Sequence, residues 1–290
     1  MWRMRGARAM VHGAVSILNA IPTWIGGAIG VDLWTEAEAL ISDEPGRIEA
    51  EIPGGEDPRL VIETAKTILQ RAGRSDIGLR VRTRSNIPIG RGLKSSSAAS
   101  DAVALAVARL LGLDCDGDEV VRLAVEASIR AGVTITGAYD DAYTCFFGGI
   151  NITDNASKKV LLRKMAPGDV MVLIAVPERK IYTGSVDVER LRAVKDVCLK
   201  AAKLALQEKF WDAMIVNGLA IASALDLDPS PILDAVRAGA LAAGVSGTGP
   251  AIAAITRPGR AESVRNALRD YGDILVCGVN NSEAGWEALG

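Results

Sequence analysis

Pro88-Ile-Gly-Arg-Gly-Leu-Lys-Ser-Ser-Ser-Ala98 runs without interruption into the small, apolar stretch Ala99–Leu111. A glycine-bearing segment, three serines and a long run of alanine, valine and leucine describe a loop that feeds the N-terminus of a helix. Gly90 and Gly92 carry no Cβ, so the backbone there can turn tightly and lie close to a ligand. Leu93 can bury and anchor the loop. The first turn of the following helix leaves its N–H groups unpaired at the positive end of the helix dipole, which makes an anion site. The hydroxyls of Ser95, Ser96 and Ser97 can cap the helix, bind phosphate oxygens or ligate Mg²⁺. The plainer alternative is a serine-capped helix after a turn.

The loop is not a Walker A sequence. Leu93 stands before Lys94, where a P-loop requires glycine before Lys-Ser/Thr. Bulk composition narrows the classes further. The chain has 290 residues, enough for two domains, and 33 Lys plus Arg balance 35 Asp plus Glu. That balance gives no cationic field for nucleic acid. Cys115, Cys145, Cys198 and Cys277 are widely spaced with no Cys-x-x-Cys pair, which argues against a zinc site or disulfide framework and for a reducing, cytoplasmic setting. No apolar run reaches the roughly 18–20 residues of a membrane span, and no signal peptide is evident. Met1–Ala9 is Arg-rich but too short for a targeting sequence. His12 is the sole histidine. Paired-histidine metal sites are thereby excluded, and a general base is expected to be Asp or Glu.

Residues 6–40 read as strands and tight turns around Gly13, Gly26, Gly27 and Gly30. Asp57–Arg71 has helical spacing, and Gly78–Ile87 alternates as a half-exposed strand. A helix is expected from the serine loop to Leu111, and another over Asp118–Ala131 with Asp118 or Asp116 as its cap. Phe146–Thr153 reads as a strand beginning at Gly148-Gly149. The polar stretch Asn155–Asp169, with Pro167 and Gly168, is the best boundary between domains. Beyond it the pattern gives a strand at Val170–Val176 and helices near Val186–Gln207, Trp211–Ala224 and Pro231–Ala243. A strand at Ala251–Thr256, a helix at Arg260–Tyr271 and a last strand at Asp273–Cys277 follow. Strands and helices are mixed without strict alternation, so two α+β domains fit better than a doubly wound sheet.

Two further constellations carry chemistry. In Thr134-Ile-Thr-Gly-Ala-Tyr-Asp-Asp-Ala142 two acids, Asp140 and Asp141, are expected in a Gly/Thr-rich turn between a helix and an apolar strand. Paired carboxylates near a phosphate site can divide the work, one as a base or charge orienter and the other as a metal ligand or structural acceptor. The alternative is a turn with an Asx cap. Gly244-Val-Ser-Gly-Thr-Gly-Pro-Ala251 is a Gly-rich loop between a helix and a strand, whose N–H groups can cup an anion or cover a substrate.

The three segments together resemble the GHMP kinases. Pro88, Gly92, Leu93, Ser95, Ser96 and, after one extra serine, Ala98 match the family's Pro-x-x-x-Gly-Leu-x-Ser-Ser-Ala signature. Ser246-Gly-Thr-Gly-Pro250 resembles its C-terminal signature, and the Asp140 turn lies between them. The resemblance covers essentially the whole chain. Asn19-Ala-Ile, Gly26–Leu33, the triple serine, Thr136–Ala142 and Gly148–Asn155 are worded like the archaeal-type shikimate kinases of that family.

The resemblance implies an ATP-binding α+β domain over residues 1–160 and a ferredoxin-like domain over 161–290. It also implies ATP-dependent phosphorylation of the shikimate 3-hydroxyl. In that reading Pro88, Gly90, Gly92, Leu93, Lys94, Ser95–Ser97 and Ala98 hold the nucleotide. Ser96 and Glu126 ligate Mg²⁺, and Asp140 orients or deprotonates the acceptor. Asp32, Asp141, Gly247, Thr248 and Gly249 face the substrate. Some family members carry a lysine near the N-terminus that helps the acceptor ionise. The first lysine here is Lys66, so Arg8 is the nearest substitute, although Arg and Lys are not interchangeable. Arg8, Lys94 and Lys180 are candidates for the substrate carboxylate. Kinases of homoserine or mevalonate, and a silent binding module of the same fold, share the motifs.

Overall fold

A computed structural model describes residues 5–181 and 186–290; residues 1–4 of the Arg-rich start lie outside them. Strands β1 (Gly6–Leu18) and β2 (Ile25–Ser42) form a long antiparallel pair. At 18 residues β2 is long enough to serve two neighbours in succession. Ile25–Ile29 pairs with β5 (Ile150–Asp154), and Thr35–Ser42 pairs with β4 (Gly78–Ser85). β3 (Ile48–Glu51) adds parallel to β4, and β6 (Lys159–Lys164) adds to β5. β11 (Gly285–Leu289) covers the other edge of β1 and completes a seven-stranded sheet.

Four helices pack with this sheet: α1 (Arg59–Arg71), α2 (Ser95–Leu110), α3 (Gly117–Arg130) and α4 (Tyr139–Phe147). The central one is α2, which touches β1, β2, α1, α3 and α4. Its run of alanine and valine is buried on every side, as a helix without a polar face must be. α3 is instead amphipathic, and the Asp116 side chain caps it by accepting from the Glu119 N–H at 2.8 Å.

The second unit contains β7 (Met171–Val176), α5 (Val188–Ala193), α6 (Lys195–Leu206), α7 (Phe210–Ala224), α8 (Ser230–Arg237), β8 (Ala242–Val245), β9 (Ile252–Thr256), α9 (Ala261–Leu268) and β10 (Asp273–Gly278). Its sheet order is β10-β7-β9-β8, with every pair antiparallel. Fourth strand beside first, then third, then second is the ferredoxin-like arrangement of a βαββαβ unit. One core spans both units, with Val172 and Ile174 of β7 joining Ala14 and Val15 of β1, and a second core, with Leu173 and Ala175 from the other face of β7, lies among the helices of the second unit.

Several expectations are corrected. The division at 160/161 cuts through β6, which pairs with β5 as an alternating edge strand; the first sheet runs to Lys164 and takes back the C-terminus through β11. The helix expected over Val186–Gln207 is two helices meeting at Val194. Pro231–Ala243 holds α8 and the start of β8, separated by Gly239 at φ +104°. The Gly-rich loop therefore joins two strands, β8 and β9. Phe146 and Phe147 end α4 rather than open a strand, because an apolar segment buried on nearly all sides has no periodicity to read.

Candidate active site

The loop before α2 is held by buried Ile87 and Leu93. Gly92 has φ +79°, and a Cβ there would fall 1.9 Å from the Ser246 carbonyl oxygen, so only glycine lets the two Gly-rich loops close on each other. Lys94 follows at the N-cap with φ +66°, a left-handed conformation that costs a residue with a Cβ about 1–3 kcal/mol. The Lys94 side chain makes no capping hydrogen bond to α2. Ser95, Ser96 and Ser97 instead line a cleft of about 580 Å³ into which the helix opens. A serine-capped helix is therefore not what the sequence builds, and the uncapped first turn suits an anion.

Lys94 is the centre of the cleft's polar wall. It is 7% exposed, with its Nζ donating to Ser16 Oγ at 2.6 Å and paired with Asp141 Oδ1 at 2.8 Å. Ser16 Oγ also accepts from the Gly247 N–H at 2.9 Å. Ser246 Oγ donates to the Gly92 carbonyl at 2.8 Å, and Asn19 Nδ2 donates to the Gly247 carbonyl at 2.8 Å. Three distant segments, β1, the α2 loop and the β8–β9 loop, thus meet at one serine hydroxyl.

Asp140 and Asp141 open α4, where the positive end of the helix dipole favours carboxylates. Asp140 is 3% exposed and still reaches the cleft. Asn155 Nδ2 donates to its Oδ1 at 2.7 Å, and its own N–H donates to Asn155 Oδ1 at 3.1 Å. The strand opposite is recessed to receive it: a Cβ on Gly26 would lie 2.2 Å from Asp140 Oδ2. Burial, with the Asp141 charge adding, pushes the Asp140 pKa up to about 7, while Lys94 and the Asn155 hydrogen bond pull it down. A carboxylate poised near neutrality can exchange a proton with an alcohol in this cleft.

The cleft brings together Gly90, Gly92, Leu93, Lys94 and the three serines with Asp140, Asp141, Gly247 and Thr248. Pro88, Ala98 and Gly249 do not line it. Three expected residues lie elsewhere. Arg8 is bound by Glu36, Glu38 and Glu287 across neighbouring strands, so it cannot replace the N-terminal lysine. Glu126 pairs with Arg130 one turn along α3, and half of its side chain is in solvent. Asp32 accepts from the Gly278 N–H at 2.9 Å and ties β2 to the end of β10. Of the cations weighed for a substrate carboxylate, only Lys94 lines the cleft; Lys180 Nζ reaches Glu56 at 2.9 Å.

Ser16, Gly26 and Asn155 escaped the sequence reading as site residues. For Gly26 the signal was present, since a glycine inside a strand marks close approach of another group. For Ser16 and Asn155 nothing local distinguishes them from other polar residues.

Comparison with known proteins agrees with this geometry. The family model for the GHMP kinases N terminal domain matches residues 59–149, and that for the GHMP kinases C terminal matches 230–274. A shikimate kinase from Methanothrix thermoacetophila is 41% identical over 282 residues, covering 97% of this chain and 96% of that protein. Two solved structures share the fold: homoserine kinase from Cytophaga hutchinsonii (TM-score 0.77, 20% identity, 99% of both chains) and mevalonate diphosphate decarboxylase from Enterococcus faecalis, described for its ATP-binding mechanism (TM-score 0.75, 15% identity, 99% and 100%). With full-length similarity at that level and both family signatures lining one cleft, the chain belongs to the shikimate kinases of the GHMP kinase family.

Proposed function

We propose that this enzyme transfers the γ-phosphoryl group of ATP to the 3-hydroxyl of shikimate, a step in aromatic amino-acid synthesis. The observation that carries the reading is the placement of buried Asp140 in the same cleft as the uncapped N-terminus of α2. One feature receives the phosphates and the other the acceptor hydroxyl. Phosphoryl transfer asks mainly for positioning and charge neutralisation, and the cleft offers both.

The N–H groups of the first turn of α2 and the hydroxyls of Ser95–Ser97 bind the phosphate oxygens. Asp140 orients the acceptor hydroxyl and takes its proton. Lys94, held between Ser16 and Asp141, lowers the Asp140 pKa and sets positive charge beside the developing alkoxide. It takes the part expected of an N-terminal lysine, from a different element. Gly247 and Thr248 close the cleft over the reacting groups. Among the described residues no cluster of three acidic, His or Cys ligands could cage a metal. Mg²⁺ needs no such cage, because it keeps waters and binds mostly through substrate phosphates. Ser96, whose side chain lines the cleft, fits as its protein ligand, and the ion would supply charge neutralisation at the phosphates.

The assay is ADP release over shikimate, homoserine and mevalonate, with and without Mg²⁺. Turnover with shikimate well above the other two, and none without divalent metal, is expected. Equal rates on homoserine or mevalonate would overturn the acceptor assignment and leave the kinase class standing. No turnover with any acceptor would favour a silent binding module.

A further inference from the structure

Asp140 is held by a side chain that takes no direct part in phosphoryl transfer. Asn155, just after β5, is 3% exposed, and its side chain makes four hydrogen bonds. Its Oδ1 accepts from the Asp140 N–H at 3.1 Å and from Thr153 Oγ1 at 2.7 Å. Its Nδ2 donates to Asp140 Oδ1 at 2.7 Å and to Thr136 Oγ1 at 3.3 Å. Only one of the two amide orientations allows this. The backbone N–H of Asp140 needs an acceptor and its carboxylate needs a donor, so a flipped amide would oppose like to like at both points.

The consequence is geometric. Asn155 grips Asp140 at main chain and side chain together, and that fixes the carboxylate rotamer relative to its own backbone. Oδ1 is spent on the amide. Among the described residues no side chain holds Oδ2, which lies over the recess left by Gly26. Thr153 and Thr136 in turn hold the amide. The grip crosses from α4 to the end of β5, so it ties the carboxylate to the sheet as well as to its helix.

We propose that Asn155 is a positioning residue for the reaction: it presents Asp140 Oδ2 to the acceptor hydroxyl and keeps the carboxylate in its charged, acceptor form. This rests on Asp140 being the catalytic carboxylate, as argued above. The charged and titratable groups around Asp140 are few. Asp141 lies on the same helix and Lys94 on the α2 loop; Cys145 on α4 and Asp101 on α2 are buried, and burial pushes both of their pKa values up. β2 and β5 present only uncharged groups, Gly26, Thr153 and Asn155. Three influences favour the ionised form: the Lys94 charge, the Asn155 amide donor and the Asp141 backbone N–H.

The test compares Asn155→Ala, Asn155→Asp, Thr153→Val and Asp140→Asn, singly and with Asp140→Asn combined with Asn155→Ala. Each is measured in the full chain by circular dichroism and by kcat and KM from pH 6 to 9. A misplaced catalytic group costs on the order of 10²-fold. Asn155→Ala should accordingly lose about 10–100-fold in kcat with KM for ATP within threefold. Asn155→Asp keeps the shape but sets a second carboxylate against Asp140, and should move the acidic limb of kcat to higher pH. Thr153→Val should lose kcat in the same direction by less. The double variant should be no slower than Asp140→Asn alone, because Asn155 acts only through Asp140.

Unchanged kcat and an unmoved acidic limb in correctly folded Asn155→Ala or Asn155→Asp would overturn the proposal. So would a double variant in which the two losses multiply. If Asp140→Asn itself keeps activity within tenfold, the catalytic assignment of Asp140 falls instead, and the two failures are told apart by that single variant. Should Asn155→Ala not fold, the isosteric Asn155→Asp and the milder Thr153→Val decide alone.

Discussion

Replacing Asp140 by Asn should stop turnover and at the same time stabilise the protein, with the second effect set by pH. The carboxylate is buried, and its pKa is lifted from 3.8 to about 7 by that burial first and by Asp141 second. A native state that binds a proton more tightly than the unfolded chain loses stability as pH rises between the two pKa values. Here the loss begins near pH 4 and is complete just above pH 7. Three pH decades at 1.36 kcal/mol each give about 4 kcal/mol as the ceiling. Asn keeps the shape of the side chain, and its Oδ1 can still accept from Asn155 Nδ2, so no cavity and no new unpaired acceptor are made. The variant should gain about 2–4 kcal/mol over the parent at pH 8, seen as a Tm several degrees higher. The gain should shrink to less than half by pH 5, where the parent carboxyl is itself mostly protonated. In the same samples kcat should fall about 10²–10⁴-fold, the range of a positioned base, or roughly 3–5 kcal/mol of barrier. Nucleotide titration should show ATP still bound. A Tm difference that does not change between pH 5 and pH 8 would refute the burial argument. A kcat within tenfold of the parent would refute the base, since a loose transition state can be served by positioning alone.

Three other outcomes follow from the same geometry. Gly26→Ala places a methyl 2.2 Å from Asp140 Oδ2, and it should cost at least 10²-fold in kcat with little change in ATP binding; a kcat near the parent's would mean that the carboxylate sits elsewhere during turnover. Lys94→Met keeps bulk but removes the positive charge that lowers the Asp140 pKa, so the acidic limb of the kcat profile should move above pH 7 and the lost rate should partly return at pH 9; a uniform loss across pH would assign Lys94 to phosphate binding alone. Ser96→Ala should raise KM for ATP or lower kcat with the Tm unchanged, whereas a loss of about 1 kcal/mol in stability with kinetics intact is what a helix cap would give.

The fold was legible where pattern and element coincide. The serine loop, the helix after it and the Gly-rich β8–β9 loop could be read because glycine and serine have local reasons to stand where they do. α4 was not legible. Eight of its nine residues are buried, so neither a polar face nor an alternation survives to mark it. β6 was misread in the opposite sense, its exposed lysines and arginine giving an edge strand the look of a linker. At the site, Asp140 was found through its motif. Gly26 and Asn155 were not, because they approach it from β2 and the end of β5, and Lys94, found through the loop motif, gave no sign that it lies beside the carboxylates. Those distances in sequence leave no spacing to measure. Arg8 was chosen as the nearest cation along the chain, and pairing register then set it among three glutamates.

The position of Lys94 shows how the site differs from the scaffold around it. A lysine on β1 would have been held by strand pairing at no conformational cost. Set on the loop, the same charge requires a left-handed residue with a Cβ, and Ala138, just before the Asp140 turn, is left-handed as well. Asp140 adds a buried carboxylate, and buried Asp101 on α2 has both oxygens without a hydrogen-bond partner among the described residues. These unfavourable groups lie within or directly behind one cleft, while α2 and the two sheets supply the apolar burial that offsets them. The arrangement gives the loop a second task. Lys94 binds both Asp141 and the serine that holds Gly247, so moving the phosphate loop would disturb the acceptor side and the covering loop together. On the proposed roles, seating of the phosphates is coupled through Lys94 to Asp141, the neighbour of the carboxylate proposed to take the acceptor proton. A cation on β1 would leave those two events independent.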